Sequence, residues 1–321
     1  MYLAIYFELY PGIFIILMSV LGLLVGSFLN VVIYRLPVMM KQQWREQCHE
    51  FLNQPPQGSG LPGIKPFKQP LKSRSMPRFW KGLQDSRTDN GQICETFNLF
   101  RPRSRCPNCK KLITAFQNIP VISYLFLKGR CSNCRNRISI RYPLIELVSA
   151  ILTGFIAWHF GYSLQTMFAV VLTWSLICLS MIDFDHQLLP DDITMPLLWM
   201  GIVCNIFSLF TNIYSSLSGA ILGYGILWLI FISFKLLTGK EGMGYGDFKL
   251  LAMLGAWLGW EMLPFIVLLS SMLGAVIGVS LIFTGKLGRN IPIPFGPYLA
   301  VAGWIALVWG REITDFYLKL V

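Results

Sequence analysis

The chain has 321 residues, of which 54% are apolar and only 13% charged. A soluble domain carries about 25% charged residues, so this composition excludes an ordinary water-soluble protein and points to the membrane. The net charge of +11 is concentrated: residues 35–141 hold 20 of the 27 Lys and Arg, but 5 of the 16 Asp and Glu.

The first apolar run, 13–34, is long enough to span a bilayer, which takes about 20 residues. Glu8 stands where a cleaved signal peptide would carry a basic region, so the run is predicted to remain as a helix. The basic block follows. It could in principle bind nucleic acid, but it carries no recognition helix or stacking motif, and no nucleic-acid partner is expected. The positive-inside rule, with a secondary attraction to anionic membrane lipid, accounts for the charge and puts the block in the cytoplasm.

The block divides in two. Residues 53–90 are rich in Pro, Gly, Ser, Lys and Gln and are expected to be extended or mobile. Residues 101–141 are expected to be structured, because they contain Cys106-Pro107-Asn108-Cys109 and Cys131-Ser132-Asn133-Cys134, with 21 residues between the pairs. Each pair is a tight knuckle that sets two thiolates on one cation, and two knuckles complete a tetrahedron. Basic neighbours (Arg103, Arg105, Lys110, Lys111, Arg130, Arg135) favour thiolates and offset the charge of a four-thiolate zinc centre. Zinc is the expected metal, iron is the alternative, and a cytoplasmic location disfavours disulfides. Cys178 and Cys204 lie in apolar runs and read as packing residues, while Cys48 and Cys94 have no partner at ligand spacing.

Beyond the block, apolar runs recur at 142–160, 164–182, 193–210, 217–237, 248–260, 262–284 and 295–309. The run at 248–260 is short and is expected to be tilted, kinked or partly re-entrant. The predicted fold is an all-α polytopic membrane protein of about eight transmembrane helices, with a small cytoplasmic zinc-knuckle domain inserted between the first and second. The expected division is 1–34, first helix; 35–141, basic domain; 142–321, helical core. Uncharged connections alternate with connections carrying Lys235, Lys240 and Lys249, or Lys286 and Arg289, as expected with both termini outside. The third-to-fourth connection breaks that pattern with Asp183, Asp185, Asp191 and Asp192.

Ionisable groups at membrane depth are costly, so they are functional candidates. Topology puts Asp183 and Asp247 on the same side of the bundle, where they can face each other. Two carboxylates sharing one proton supply both the base and the acid of peptide hydrolysis. The glycines at 242, 244 and 246 would let a substrate backbone come close to Asp247. With His49, His159 and His186 as the only histidines, there is no His-Glu-x-x-His zinc motif. Other readings stay open from spacing alone. Asp191 or Asp192 could cap the fourth helix and Asp247 the sixth, and acidic groups in membranes also serve transporters.

Several motifs resemble those of the type IV prepilin leader peptidases, the GxGD-type intramembrane aspartic proteases that also act as N-methyltransferases. They are Gly22-Leu-Leu-Val-Gly-Ser-Phe-Leu-Asn30 with Arg35-Leu-Pro37, Asn118-Ile-Pro-Val-Ile-Ser-Tyr124, and Arg141-Tyr-Pro-Leu-Ile-Glu146. Three more are Ile182-Asp-Phe-Asp-His-Gln-Leu-Leu-Pro-Asp191, Gly239-Lys-Glu-Gly-Met-Gly-Tyr-Gly-Asp-Phe-Lys249 and Pro292-Ile-Pro-Phe-Gly-Pro297. The resemblance implies that Asp183 and Asp247 are the catalytic pair and that Cys106, Cys109, Cys131 and Cys134 bind zinc. It also implies a cell inner membrane location, cleavage of the basic leader from type IV prepilins or type II secretion pseudopilins, and methylation of the new N-terminus by S-adenosylmethionine. The segment of about 45–100 is longer than in many members, and no nucleotide-binding glycine fingerprint marks a methyl-donor site. Two competing functions remain at this stage: a transporter or channel with an acidic ion site and a regulatory zinc module, and a catalytically silent assembly factor.

Overall fold

The computed structural model describes residues 2–53, 98–99, 104–106, 108–114, 119–239, 243–284 and 294–320. The expectations for residues 54–90 and for Cys94, Arg103, Lys240, Lys286 and Arg289 fall outside these, as do parts of the motifs at 118–124, 239–249 and 292–297. The chain forms two compact units, residues 1–38 with 103–321, and residues 39–102. Of the second unit, the described part is the helical stretch 39–53 with residues 98 and 99.

In chain order the helices are α1 (Tyr2–Leu9), α2 (Pro11–Asn53), α3 (Ile122–Phe126), α4 (Arg141–Phe160), α5 (Leu164–His186), α6 (Asp191–Ile206), α7 (Ile213–Thr238), α8 (Tyr245–Leu258), α9 (Leu263–Phe283) and α10 (Gly296–Leu320). A 3₁₀ turn, Trp260–Met262, joins α8 to α9. Among the described residues there is no strand, only two isolated bridges, Arg105 with Leu112 and Arg130 with Arg137. The all-α expectation agrees with this architecture.

The expectation of a helical bundle with several membrane-spanning helices is met, though not its count of eight. Among the described residues, five helices are long and apolar enough to cross a membrane: Pro11–His49, Arg141–Phe160, Leu164–His186, Ile213–Thr238 and Trp260–Leu281, with Gly296–Gly310 as a shorter apolar stretch. Several such helices are consistent with a multi-pass membrane protein. Helices α6 and α8 have 16 and 14 residues. At 1.5 Å per residue they reach about 24 and about 21 Å, short of the roughly 30 Å hydrocarbon layer. The physical cause is local: α6 starts after Pro190, and α8 is bounded by Gly244 and by Gly259, whose φ of 88° a residue with a side chain rarely adopts. At the N-terminal end, α2 does not stop at residue 34. It runs through Pro37 into the basic block.

Helix α8 is the centre of the bundle, with Phe248, Leu250, Leu251, Met253, Leu254, Ala256 and Trp257 fully buried. Close approach is made by glycine. A side chain at Gly223 on α7 would lie 2.7 Å from the Leu251 carbonyl oxygen, and Gly219 meets the backbone of Gly255 directly. Because α8 ends inside the apolar body, its last carbonyls need internal partners. Asn205 supplies them: its amide nitrogen donates to the Ala256 and Trp257 carbonyls at 2.9 and 3.0 Å, and its oxygen accepts from the Phe210 and Thr211 N–H groups at 3.1 Å each. Ser216 Oγ donates to Ala256 O at 2.6 Å, and the Trp257 indole donates to Leu197 O at 2.8 Å.

Asn205 satisfies four backbone groups with one side chain, and an unsatisfied buried group costs about 1–3 kcal/mol. Asn205→Ala is therefore expected to destabilise the protein by about 3 kcal/mol or more, read as a lower thermal midpoint in detergent. An unchanged midpoint would contradict the role assigned to this residue.

Candidate active site and metal centre

The two cysteine pairs are built from the same local turn. In the first, Cys106 N–H donates to Lys111 O at 3.0 Å, Lys110 N–H to Cys106 O at 2.9 Å, and Lys110 takes a φ of 56°. In the second, Cys131 N–H donates to Asn136 O at 2.9 Å, Arg135 N–H to Cys131 O at 3.0 Å, and Arg135 takes a φ of 55°. The hairpins meet sulfur to sulfur. Cys106 Sγ is 3.8 Å from Cys134 Sγ, Cys109 Sγ is 4.0 Å from Cys131 Sγ, and all four sulfurs lie within 4.8 Å of one another. A tetrahedron with bonds of about 2.3 Å to a central zinc has edges of about 3.8 Å, so this donor set could hold a metal ion.

Backbone amides tune the sulfurs. The Cys134 and Asn133 N–H groups hold Cys131 well below the ordinary thiol range, at about 6. The Lys111 N–H pulls Cys109 in the same direction. Lys111 Nζ also donates to Asn133 Oδ1 at 3.3 Å, tying one knuckle to the other. Cys178 and Cys204 are buried in α5 and α6, and Cys48 is exposed on α2.

The acidic residues separate into distinct environments. Asp183, in the last turn of α5, is 5% exposed, and its Oδ2 accepts from the Gly296 N–H at 3.0 Å. That amide is one of the otherwise unpartnered N–H groups at the start of α10. Asp247, in the first turn of α8, is 7% exposed. Leu189 packs between their supports: a side chain at Gly246 would meet Leu189 Cβ at 2.8 Å, and one at Gly296 would meet Asp183 Oδ2 at 2.6 Å and Leu189 Cδ1 at 3.4 Å. Phe248, next to Asp247, is gripped by edge-on contacts with Tyr224, Phe231 and Tyr245 at ring separations of 5.8, 5.6 and 5.6 Å.

The remaining carboxylates point elsewhere. Asp185 pairs with Arg141 through two hydrogen bonds of 2.7 and 2.6 Å. Asp191 pairs with Lys249 at 2.8 and 2.7 Å. The N-cap readings are corrected here. Pro190 occupies the N-cap of α6 and Gly244 that of α8, with no side-chain cap at either. Asp191, Asp192 and Asp247 instead stand in the first turn, where a negative charge complements the helix dipole.

Sequence reasoning did not identify two supports. One is the Gly296 amide, whose motif was visible but whose backbone N–H has no sequence signal. The other is Glu146, 8% exposed on α4, whose Oε2 accepts from the Val121 N–H at 2.8 Å and ties the loop between the knuckles to the helical body. An acidic residue inside an apolar run was the available signal for it.

Residues 20–160 match the bacterial peptidase A24 N-terminal domain, and residues 170–279 match the type IV leader peptidase family. A prepilin leader peptidase/N-methyltransferase of Stutzerimonas stutzeri is 50% identical over 309 residues, covering 96% of this chain and 95% of the relative. Its counterpart in Pseudomonas aeruginosa is 48% identical over 314 residues, covering 98% and 97%. That of Legionella pneumophila is 40% identical over 309 residues, covering 96% of each. No solved structure matches the chain. The chain belongs to the type IV leader peptidase family.

The sulfur geometry makes a direct prediction. The purified protein reconstituted with cobalt should bind one ion per chain and show thiolate-to-cobalt charge-transfer absorption, and Cys109→Ser should weaken both. Equal metal content in the variant would remove Cys109 from the ligand set.

Proposed function

We propose that this chain is a bifunctional enzyme of the cell inner membrane. It cleaves the basic leader of type IV prepilins or type II secretion pseudopilins, then methylates the new N-terminus with S-adenosylmethionine. The observation that carries the reading is the pair of buried carboxylates, Asp183 and Asp247, on separate helices whose adjoining glycines, Gly296 and Gly246, both pack against Leu189.

The chemistry follows from that pair. A water between the carboxylates gives a proton to the ionised one as its oxygen attacks the scissile carbonyl carbon. The protonated partner donates to the carbonyl oxygen, and the tetrahedral intermediate collapses as a proton passes to the leaving amine. The Gly296 N–H holds one oxygen of Asp183 and so fixes the direction of the other. Gly244, beside the Asp247 carboxylate, leaves room that a peptide backbone could approach, while Gly246 and Gly296 let Leu189 and the Asp183 carboxylate pack closely.

Residues 142–321 are read as the peptidase core, with 1–34 as the first membrane helix and 35–141 as the inserted basic domain. The charge of the block assigns it, and the carboxylates at the same end, to the cytoplasm. A prepilin is an apolar helix with a short charged leader, so its cut site would lie at that membrane boundary. In the inserted domain, Cys106, Cys109, Cys131 and Cys134 would hold zinc, which suits a closed four-thiolate site with no open position and hence a structural role. S-adenosylmethionine supplies a methyl group to the freed amine; no described residues are assigned to it.

Co-expression with a prepilin, followed by intact mass of the pilin, tests the assignment. The native chain should give a shortened, methylated pilin. Asp183→Asn and Asp247→Asn should each leave full-length precursor, with cleavage reduced by about 10³-fold or more, as when a group acting in a catalytic unit is removed. A fully active variant would exclude that aspartate, and precursor persisting with the native chain would overturn the function.

A further inference from the structure

The cleavage chemistry above says nothing of how an apolar substrate helix is held. A cavity of about 300 Å³ lies between α9 and the start of α10. One wall is Ser271, Gly274 and Ala275, three small residues at the i, i+3, i+4 spacing that puts them on one helix face. The facing wall is Pro294, Phe295 and Tyr298. The width is set at Gly274, where a side chain would come within 3.3 Å of Tyr298 Cδ2.

Its position separates this cavity from a chance surface gap. Phe295, in its wall, is followed directly by Gly296, whose N–H holds Asp183. One peptide unit therefore joins the groove to the carboxylate. Among the described residues the lining contains no Asp, Glu, Lys or Arg, so it suits an apolar segment and not a charged leader. Neighbouring positions on α9, including Leu268, Met272, Val276 and Val279, are large, apolar and exposed. A segment lying in the membrane can therefore reach the groove sideways without crossing a polar surface. The volume is at the lower end of the roughly 300–1,000 Å³ typical of binding pockets, which fits side chains of one helix and not a folded partner.

We propose that this groove receives the apolar segment of the prepilin that follows the cut, with Gly274 and Tyr298 as specificity-determining residues. The proposal rests on the peptidase reading given above. Side chains of the substrate helix fill the groove, the helix end passes Gly296, and the scissile bond is delivered to Asp183 and Asp247. The leader, being charged, leaves on the side of the basic block.

The test uses the full chain in liposomes with a prepilin carrying a photo-reactive benzoylphenylalanine at successive positions after the cut. In the Asp247→Asn protein, cross-links should map to residues 271–275 and 294–298. In the otherwise native enzyme, Gly274→Phe and, as a milder filling, Ser271→Leu should raise KM about ten-fold with kcat held within about two-fold, the pattern of lost ground-state binding. Thermal midpoints confirm that both variants are folded. Cross-links found only on lipid or on other helices, with KM unchanged in either folded variant, would overturn the groove while leaving the peptidase standing. A native enzyme that does not cut prepilin at all would overturn the peptidase reading and the groove together.

Discussion

The structure depends on one constraint: a helix of 14 residues starts at the surface of an apolar body and ends inside it. Lipid and packed side chains offer no water to backbone groups, so each free amide or carbonyl there costs several kcal/mol unless the protein provides a partner. At the C-terminal end of α8, Asn205 and Ser216 are those partners. At the N-terminal end, the unpaired amides and the dipole create a setting in which a carboxylate is favoured over an apolar residue. Asp247 stands in that first turn. The residue proposed for catalysis is thus where the fold already tolerates a negative charge.

The same logic applies to Asp183. It lies at the end of α5, where the chain turns through Gln187 in the left-handed region, and it is held by the first amide of α10. Two helix starts, α8 and α10, therefore converge on two carboxylates. The surrounding ion pairs keep the remaining charges away from that point. Arg141 engages Asp185 and Lys249 engages Asp191, both with side chains partly in water, where such pairs contribute about 1 kcal/mol or less. Their value is positional. They assign Asp185 and Asp191 fixed partners, and Asp183 and Asp247 stand apart from both pairs.

The sequence made some of this legible and not the rest, for physical reasons. The knuckles were readable because a metal site imposes Cys spacing on local turns, and turns are determined by neighbours in the chain. Asp183 and Asp247 were readable as costly groups in apolar surroundings, and the charge of residues 35–141 suggested which side they share. The shortness of α8 was readable in the run at 248–260, but that of α6 was not, since an apolar run reports burial and does not distinguish a lipid-crossing helix from one enclosed by protein. Asn205 illustrates the gap. In sequence it is one polar residue at the end of an apolar run, and its four backbone partners come from two segments, of which Ala256 and Trp257 lie about fifty residues away.

Glycine has a further role that composition alone conceals. Gly219 and Gly255 bring α7 and α8 into backbone contact, and Gly22 and Gly26 bring α2 against Ser149, Thr153 and Glu146 of α4. In an apolar medium, where burial gives helices little net drive to associate, such close approach supplies the packing that holds a bundle together. At Gly246 and Gly296 the small residue admits side chains instead of backbone: Leu189 at both, and the Asp183 carboxylate at Gly296. One residue type thus tightens the frame both at the helix contacts and beside the carboxylates. A helix body that shifted would separate Asp183 from Asp247, because each is fixed to a different helix. The rigidity of the glycine contacts is therefore what converts two independent helix ends into one site.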